Sequence, residues 1–195
     1  MIKSIHNLLE QELQFEKKLF FFLNKNGCTF FDYFFWLCSS TWIEICTYIS
    51  CVCFFLKKKS YKTILLEILS IILVFFVCHV TSSFFFKPIF HRFRPSYHPF
   101  FKTHVNIIFE HIKNPYGFIS SHTTNAFGFA IFTSLIFRNH LYTWMILLFA
   151  CIIGYSRIYL GAHFILDVII GIFVGLLLGY LVYNLYKYIK HIYIK

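Results

Sequence analysis

The chain has 195 residues, of which 58% are hydrophobic, 23% aromatic and only 13% charged, and its formal net charge is +10. Soluble domains carry about 25% charged residues, so this composition excludes an ordinary soluble protein, including a soluble nucleic-acid-binding protein. It indicates a single membrane-embedded domain, 1–195, in which the surplus of lysine and arginine marks the cytoplasmic face.

The first 27 residues predict an amphipathic helix that lies in the membrane interface. Ile5, Leu8, Leu9 and Leu13 fall near helical spacing, and charged residues separate them. A surface helix that packs on the membrane spans is equally compatible with this pattern. The segment is acidic and has no early apolar core, unlike a cleavable signal peptide.

Five apolar segments are long enough to cross a bilayer as helices, which takes about 20 residues. The predicted fold class is therefore all-α: a polytopic membrane helix bundle of about five transmembrane helices plus the N-terminal interfacial helix. The predicted spans are Phe34–Leu56, Ile64–Phe86, Phe118–Phe137, Leu141–Leu160 and Phe164–Tyr186.

Two features lie inside these spans. Glu44, near the middle of the first, is either a functional acid or a neutral or hydrogen-bonded structural residue. Gly171, Gly175 and Gly179 form a small-residue ridge on the last span, which lets a neighbouring helix come close. Packing within the chain is favoured over dimerisation, because the third and last spans both begin at the polar motifs described below. The oligomeric state stays open.

The connections between spans predict an orientation. The lysine-rich segment 57–62, Arg138 and the C-terminal lysines share one side of a five-span bundle, which the positive-inside rule assigns to the cytoplasm. The connections Lys87–Gly117 and Arg157–His163 then face the outside or the periplasm, in a multi-pass protein of the plasma (inner) membrane. Since the long outward connection is also basic, its charges need another explanation.

The first outward motif is "KPIFHRFRP", which contains Lys87, Arg92 and Arg94. Arginine and lysine at a membrane edge can simply anchor in lipid headgroups. The planar fork of arginine is also well suited to phosphate oxygens. Arg92 can reach a substrate from here, although nothing in the spacing demands it.

The second motif, "GFISSHTTNAF", opens the third span. Ser120, Ser121 and His122 would lie at a helix N-terminus, where free backbone N–H groups and the helix dipole favour an anion. Capping of the helix by Ser120 or Ser121 is the alternative explanation. Capping does not account for His122.

The third motif is "SRIYLGAHFILD", which precedes the last span. His163 and Asp167 are four residues apart and share a helix face. The carboxylate can accept a hydrogen bond from Nδ1–H of the imidazole, which leaves Nε2 with a free lone pair. The alternative is a His–Asp pair that only fastens helices together. With Arg157, the three motifs predict two histidines that face a cationic pocket at the lipid–water boundary, a site for phosphate on a lipid.

These residues resemble the type 2 phosphatidic acid phosphatases, also called lipid phosphate phosphatases. The family motif K-x6-R-P matches in full at Lys87, Arg94 and Pro95, and S-R-x5-H-x3-D matches in full at Ser156, Arg157, His163 and Asp167. The motif P-S-G-H reads I-S-S-H, with Ile119 and Ser121 in place of proline and glycine. The resemblance covers Lys87–Asp167 directly.

The resemblance implies a set of roles for the motif residues. His163 attacks phosphorus and becomes a phosphohistidine, Asp167 orients it, and His122 protonates the leaving oxygen and then activates water. The scheme needs neither a metal nor another cofactor, and the seven cysteines, which lack C-x-x-C spacing, are interpreted as small buried hydrophobic residues. The implied phosphate-binding residues are Lys87, Arg94, Ser120, Ser121 and Arg157.

The resulting prediction is an integral membrane phosphatase that hydrolyses a phosphomonoester or diphosphate of a membrane lipid. Undecaprenyl diphosphate is the favoured substrate, by analogy with the family. Phosphatidylglycerophosphate, phosphatidic acid and lipid A are the alternatives. A non-enzymatic lipid-phosphate-binding transporter or scaffold fits less well because both histidines and the aspartate are intact. A vanadate-dependent haloperoxidase fits less well because of the membrane spans.

Overall fold

The computed structural model describes residues 16–24, 28–55, 59–99, 102–109 and 114–193. These residues form helices, with one isolated β-bridge and no strand among them. A π-helical segment, Thr81–Phe86, joins the helix Tyr61–Val80 to the short helix Lys87–Phe90, so that one continuous helix runs over Tyr61–Phe90. The α-helices are α1 (Thr29–Cys38), α2 (Thr41–Phe55), α3 (Tyr61–Val80), α4 (Lys87–Phe90), α5 (Ser121–Phe137), α6 (His140–Tyr159) and α7 (Ile165–Tyr193).

The N-terminal interfacial helix is described only in part. Residues 16–23 are helical, whereas residues 1–15 and 25–27 lie outside the described part of the chain. Phe20 is fully buried and packs edge-on against Phe164, at the start of the last helix. The placement of the segment in a membrane interface stays a prediction.

The predicted all-α membrane bundle is confirmed. In the described residues, three helices are long and apolar enough to span a bilayer: Tyr61–Phe90, His140–Tyr159 and Ile165–Tyr193. Helices α1 and α2 pass the same test together as a fourth span, with a bend of 58° between them. The first predicted span is therefore not one straight helix, since it breaks at Ser39 and Ser40.

Helix α5, the third predicted span, lies at the centre of the bundle. It has 17 residues, and ten of them are buried against α3, α6 and α7. Its first turn is capped by Ser120, whose hydroxyl accepts hydrogen bonds from the backbone N–H of Thr123 (3.4 Å) and from its hydroxyl (2.9 Å). This burial fixes the position of the residues at the helix N-terminus.

A glycine seam, formed by Gly171, Gly175 and Gly179 of α7 and Gly128 of α5, joins the two helices backbone to backbone. A Cβ atom on Gly175 would lie 2.5 Å from the carbonyl oxygen of Thr124, and one on Gly171 would lie 3.2 Å from that of Ser120. The small-residue ridge therefore packs within the chain, as expected from the sequence.

Because of this close contact, we predict that Gly175→Leu lowers the stability of the bundle. The new side chain meets backbone, which cannot move aside as a flexible side chain can, so we expect a loss of about 3 kcal/mol of stability. Thermal unfolding in detergent measures the effect. Leu177→Phe is the matched control, because Leu177 lies on the exposed face of the same helix. An unchanged thermal unfolding midpoint for Gly175→Leu would contradict the close backbone contact at the seam.

The long connection after α4 folds back onto the starts of α5 and α7. Phe93 and Tyr116 form an antiparallel bridge. Beside it, the N–H of Arg94 donates to the carbonyl of Pro115 (2.8 Å) and the N–H of Gly117 to that of Arg92 (2.9 Å). The bridge thereby holds both arginines next to the two helix N-termini.

Candidate active site

The candidate site lies where the N-termini of α5 and α7 meet. The backbone N–H of Ser120 donates to the carbonyl of Asp167 at 3.1 Å, which links the two helix starts directly. Gly117 is packed into the same place, since a Cβ there would lie 2.8 Å from Cγ of Arg94 and 3.4 Å from Nδ1 of His163. The second and third sequence motifs therefore share one site.

His163 lies in the tight turn between α6 and α7. The backbone N–H groups of Ala162 and His163 both donate to the carbonyl of Arg157 at 3.0 Å, and Gly161 makes the turn at a φ of +74°. The side chain is only 2% exposed. Its Nε2 atom is 3.0 Å from Nη1 of Arg94, and its Nδ1 atom is 3.5 Å from Oδ2 of Asp167.

These contacts define the state of the His163 imidazole. A guanidinium can only donate, so Nε2 accepts from Arg94 and the proton lies on Nδ1, which faces Asp167. Burial lowers the pKa of His163 well below its usual value, and the positive charges of Arg94 and Arg157 lower it further. The imidazole is therefore neutral near pH 7, with a lone pair on Nε2.

Asp167 is fully buried beside this histidine. Its Oδ2 accepts a hydrogen bond from the backbone N–H of Phe164 at 3.1 Å, and its Oδ1 accepts from Nη1 of Arg92. Nη2 of Arg92 donates to Glu16, which also accepts from the backbone N–H of Leu166 at 3.0 Å. The carboxylate is thus held in place independently of His163.

Three cations surround the histidines. Lys87, Arg94 and Arg157 all lie close enough to His163 to lower its pKa. Nζ of Lys87 donates to the hydroxyl of Ser121 at 2.9 Å, and Nη1 of Arg157 donates to the hydroxyl of Ser39. The structure therefore brings Lys87, Arg94, Arg157 and Ser121, four of the five predicted phosphate-binding residues, to one cationic pocket.

Ser120, the fifth, has a different position. It is fully buried, its N–H is bonded to the carbonyl of Asp167, and its hydroxyl caps α5. The Ser120 amide donates to Asp167 and its hydroxyl fits the capping alternative, so its assignment as a phosphate-binding residue stays a prediction. The close approach of α7 accounts for the contact with Asp167.

His122 reaches the pocket from the first turn of α5. Its Nδ1 atom is 2.8 Å from Oε1 of Glu44, which comes from α2 and is 5% exposed. His122 also lies close enough to His163 to affect its pKa. The two predicted histidines therefore face one pocket, and each has a carboxylate at its Nδ1 side.

Sequence reasoning left three contributors without an assigned role: Glu44, Arg92 and Gly117. For Glu44 the signal was a carboxylate inside an apolar span, and for Arg92 a second arginine within the first motif. Gly117 gave no separate signal. In all three cases the partner is distant in sequence, so local spacing could not identify it.

The chain is similar to known proteins over most of its length. The family model described as the PAP2 superfamily matches residues 64–191. The chain is 43% identical to the lipid A 4'-phosphatase of Porphyromonas gingivalis over 182 residues, which cover 93% of this chain and 77% of that protein. It is 31% identical to the lipid A 4'-phosphatase of Bacteroides thetaiotaomicron, over 86% of this chain and 75% of that protein.

Two further similarities are more distant. The undecaprenyl-diphosphatase BcrC of Bacillus subtilis is 31% identical over 86 residues, which cover 44% of this chain and 43% of that protein. The crystal structure of LpxE from Aquifex aeolicus superimposes with a TM-score of 0.63 at 26% identity, over 86% of this chain and 93% of that chain.

Proposed function

The chain belongs to the PAP2 superfamily, and we propose that within this family it removes the 4'-phosphate of lipid A. It is a membrane phosphatase that acts on lipid phosphates. The observation that carries the choice of substrate is the 43% identity to a lipid A 4'-phosphatase over 93% of the chain.

This proposal replaces undecaprenyl diphosphate, the substrate favoured from the sequence motifs. Those motifs recognise phosphate and report nothing about the lipid that carries it. The match to an undecaprenyl-diphosphatase covers 44% of the chain, whereas the two matches to lipid A 4'-phosphatases cover 93% and 86%. Lipid A, which was an alternative at the sequence level, is the better supported substrate.

The proposed reaction begins with an in-line attack. Nε2 of His163 donates its lone pair to phosphorus, and the bond between phosphorus and the lipid oxygen breaks. The leaving oxygen takes a proton from His122, which approaches from the other helix N-terminus. The products of this half-reaction are the dephosphorylated lipid and a phosphohistidine.

The second half-reaction restores the enzyme. His122, now neutral, takes a proton from water, whose oxygen attacks phosphorus and displaces Nε2 of His163. Asp167 stabilises the positive charge of the phosphorylated imidazole. Lys87, Arg94 and Arg157 neutralise the charge that spreads over the phosphoryl oxygens in both transition states.

The substrate proposal is tested by hydrolysis assays on the purified full-length chain. Lipid A bearing 1- and 4'-phosphates, undecaprenyl diphosphate, phosphatidylglycerophosphate and phosphatidic acid are compared by phosphate release, and fragment masses identify which lipid A phosphate is lost. We expect the highest kcat/KM for lipid A, with loss at the 4' position. A higher kcat/KM for undecaprenyl diphosphate, or loss at position 1, would overturn the proposal.

We also expect activity to survive an excess of EDTA. The side chains of Lys87, Arg94 and Arg157 provide the positive charge that a metal ion supplies in metal-dependent phosphatases. The measurement is phosphate release before and after chelation. Loss of activity in EDTA that is reversed by added Mg²⁺ would contradict this prediction.

The proposed location is the inner membrane, with the site facing the outside or the periplasm. The basic first connection supports this orientation. In a variant without native cysteines, a membrane-impermeant thiol reagent should label His104→Cys from outside the cell and should not label Lys58→Cys. The reverse labelling would place the site in the cytoplasm.

A further inference from the structure

Glu44 is a carboxylate that the three sequence motifs do not include. It lies in the first turn of α2, within the bent pair of apolar helices, and only 5% of it is exposed. Its Oε1 atom is 2.8 Å from Nδ1 of His122, 78 residues along the chain. A buried acid in a membrane segment is costly, and such residues are usually functional.

A second buried carboxylate, Glu67 of α3, lies outside the candidate active site and serves as a comparison. It is 2% exposed, and both of its oxygens accept from Nζ of Lys59 at 2.8 Å, while Tyr186 donates to it at 3.2 Å. A lysine and a tyrosine therefore satisfy Glu67. Glu44 is instead bonded to a histidine of the candidate active site.

The contact between Glu44 and His122 has two chemical consequences. A carboxylate accepts hydrogen bonds, so the proton lies on Nδ1 and the ring is oriented with Nε2 away from Glu44. Both effects prepare His122 to act as a general acid through Nε2.

The bend between α1 and α2 makes this contact part of a larger arrangement. Ser39, at the C-terminal end of α1, accepts a hydrogen bond from Arg157, and Glu44, in the first turn of α2, bonds His122. The two sides of the bend thus hold one phosphate-binding cation and one histidine.

We propose that Glu44 is a positioning residue that fixes the tautomer and the orientation of His122, so that Nε2 faces the leaving lipid oxygen for proton transfer. Asp167 has a comparable place beside His163, with 3.5 Å between its Oδ2 atom and Nδ1 of the imidazole. The inference rests on the proposed phosphatase function. It adds to the family motifs a residue of the first span, which lies outside the region Lys87–Asp167 that those motifs cover.

The test compares Glu44→Gln and Glu44→Ala in the full-length protein. Glutamine keeps an oxygen acceptor for Nδ1–H and loses the charge, whereas alanine loses both. With the lipid substrate we expect kcat to fall about 10-fold for glutamine and about 100-fold for alanine, with KM within about twofold. Glu67→Gln is the matched control, because it removes the charge of an equally buried carboxylate that does not contact the candidate active site.

A leaving-group series separates positioning from a structural role. Phenyl phosphate needs protonation of its leaving oxygen more than p-nitrophenyl phosphate does. The Glu44 variants should therefore lose much more activity on phenyl phosphate, and Glu67→Gln should leave the ratio of the two rates unchanged. In a His122→Ala background, Glu44→Gln should cause less than about a twofold further loss, because its effect acts through the histidine.

The outcomes distinguish the inference from the proposed function. Equal losses on both aryl phosphates, or full additivity with His122→Ala, would overturn the positioning role while the wild-type protein remains a phosphatase. Wild-type activity retained by both Glu44 variants would also overturn it. A wild-type protein that releases no phosphate from any lipid or aryl phosphate would overturn the proposed function itself.

Discussion

Replacing His163 with alanine should abolish phosphate release, with a loss of at least about 10⁴-fold in kcat. The proposed nucleophile is Nε2, which is unprotonated because burial and the neighbouring arginines lower the pKa of His163. Its lone pair accepts from Arg94 at 3.0 Å, and the mechanism requires Arg94 to transfer that hydrogen bond to the phosphate when the substrate binds. No other side chain takes this place in the proposed mechanism. The measurement is phosphate release from lipid A by the purified variant.

The His163 prediction has a chemical signature and a control. Rapid quenching of the wild-type enzyme should trap phosphate on the protein in a form that is lost in acid and survives base, as expected of phosphohistidine, and His163→Ala should trap none. His104→Ala, at an exposed histidine of the long connection, should keep full activity. Turnover by His163→Ala close to that of the wild type would refute the mechanism.

Replacing Arg94 with lysine should cost about 10²- to 10³-fold in kcat, although the charge is kept. Nη1 of Arg94 contacts Nε2 of His163 and the carbonyl of Ala162, both at 3.0 Å, and Nε donates to the carbonyl of Tyr116 at 3.3 Å. One planar group thus holds the nucleophile and its turn while it faces the phosphate position. A lysine ammonium is not planar and cannot donate hydrogen bonds to His163, Ala162 and Tyr116 in these directions.

Vanadate inhibition shows whether this loss concerns the transition state. Vanadate adopts the five-coordinate geometry of phosphoryl transfer, so its affinity should fall for Arg94→Lys much more than that of phosphate. Arg138→Lys is the control, since Arg138 is an exposed arginine at the opposite end of α5. If the affinities for vanadate and phosphate fall equally, Arg94 acts in ground-state binding and not in the transition state.

The parts of the site that follow from the sequence are those encoded by short-range spacing. His163 and Asp167 are four residues apart in sequence, and Lys87 and Arg94 flank a single short connection, so their proximity needs little tertiary structure. The Ser120 amide donates to α7 in this structure, so the assignment of Ser120 as a phosphate ligand stays a prediction. Only the packed bundle reveals that contact.

The remaining features depend on contacts between distant segments. The break at Ser39 and Ser40 carries neither proline nor glycine, and a serine pair alone is only a weak signal for a helix end. The contact between Glu44 and His122 spans 78 residues, and the pair of Arg92 with Asp167 spans 75. The lipid substrate was equally inaccessible, since the phosphate motifs carry no information about the lipid body.

The glycine seam between α5 and α7 has a consequence for the response of the enzyme to its membrane. The proposed acid and the nucleophile stand at the starts of two helices that are in direct backbone contact, so their spacing is set by protein atoms alone. A bilayer that becomes thinner or thicker tilts helices to restore hydrophobic matching. Two helices joined in this way tilt together, and the catalytic spacing is thereby insulated from changes in lipid chain length and fluidity.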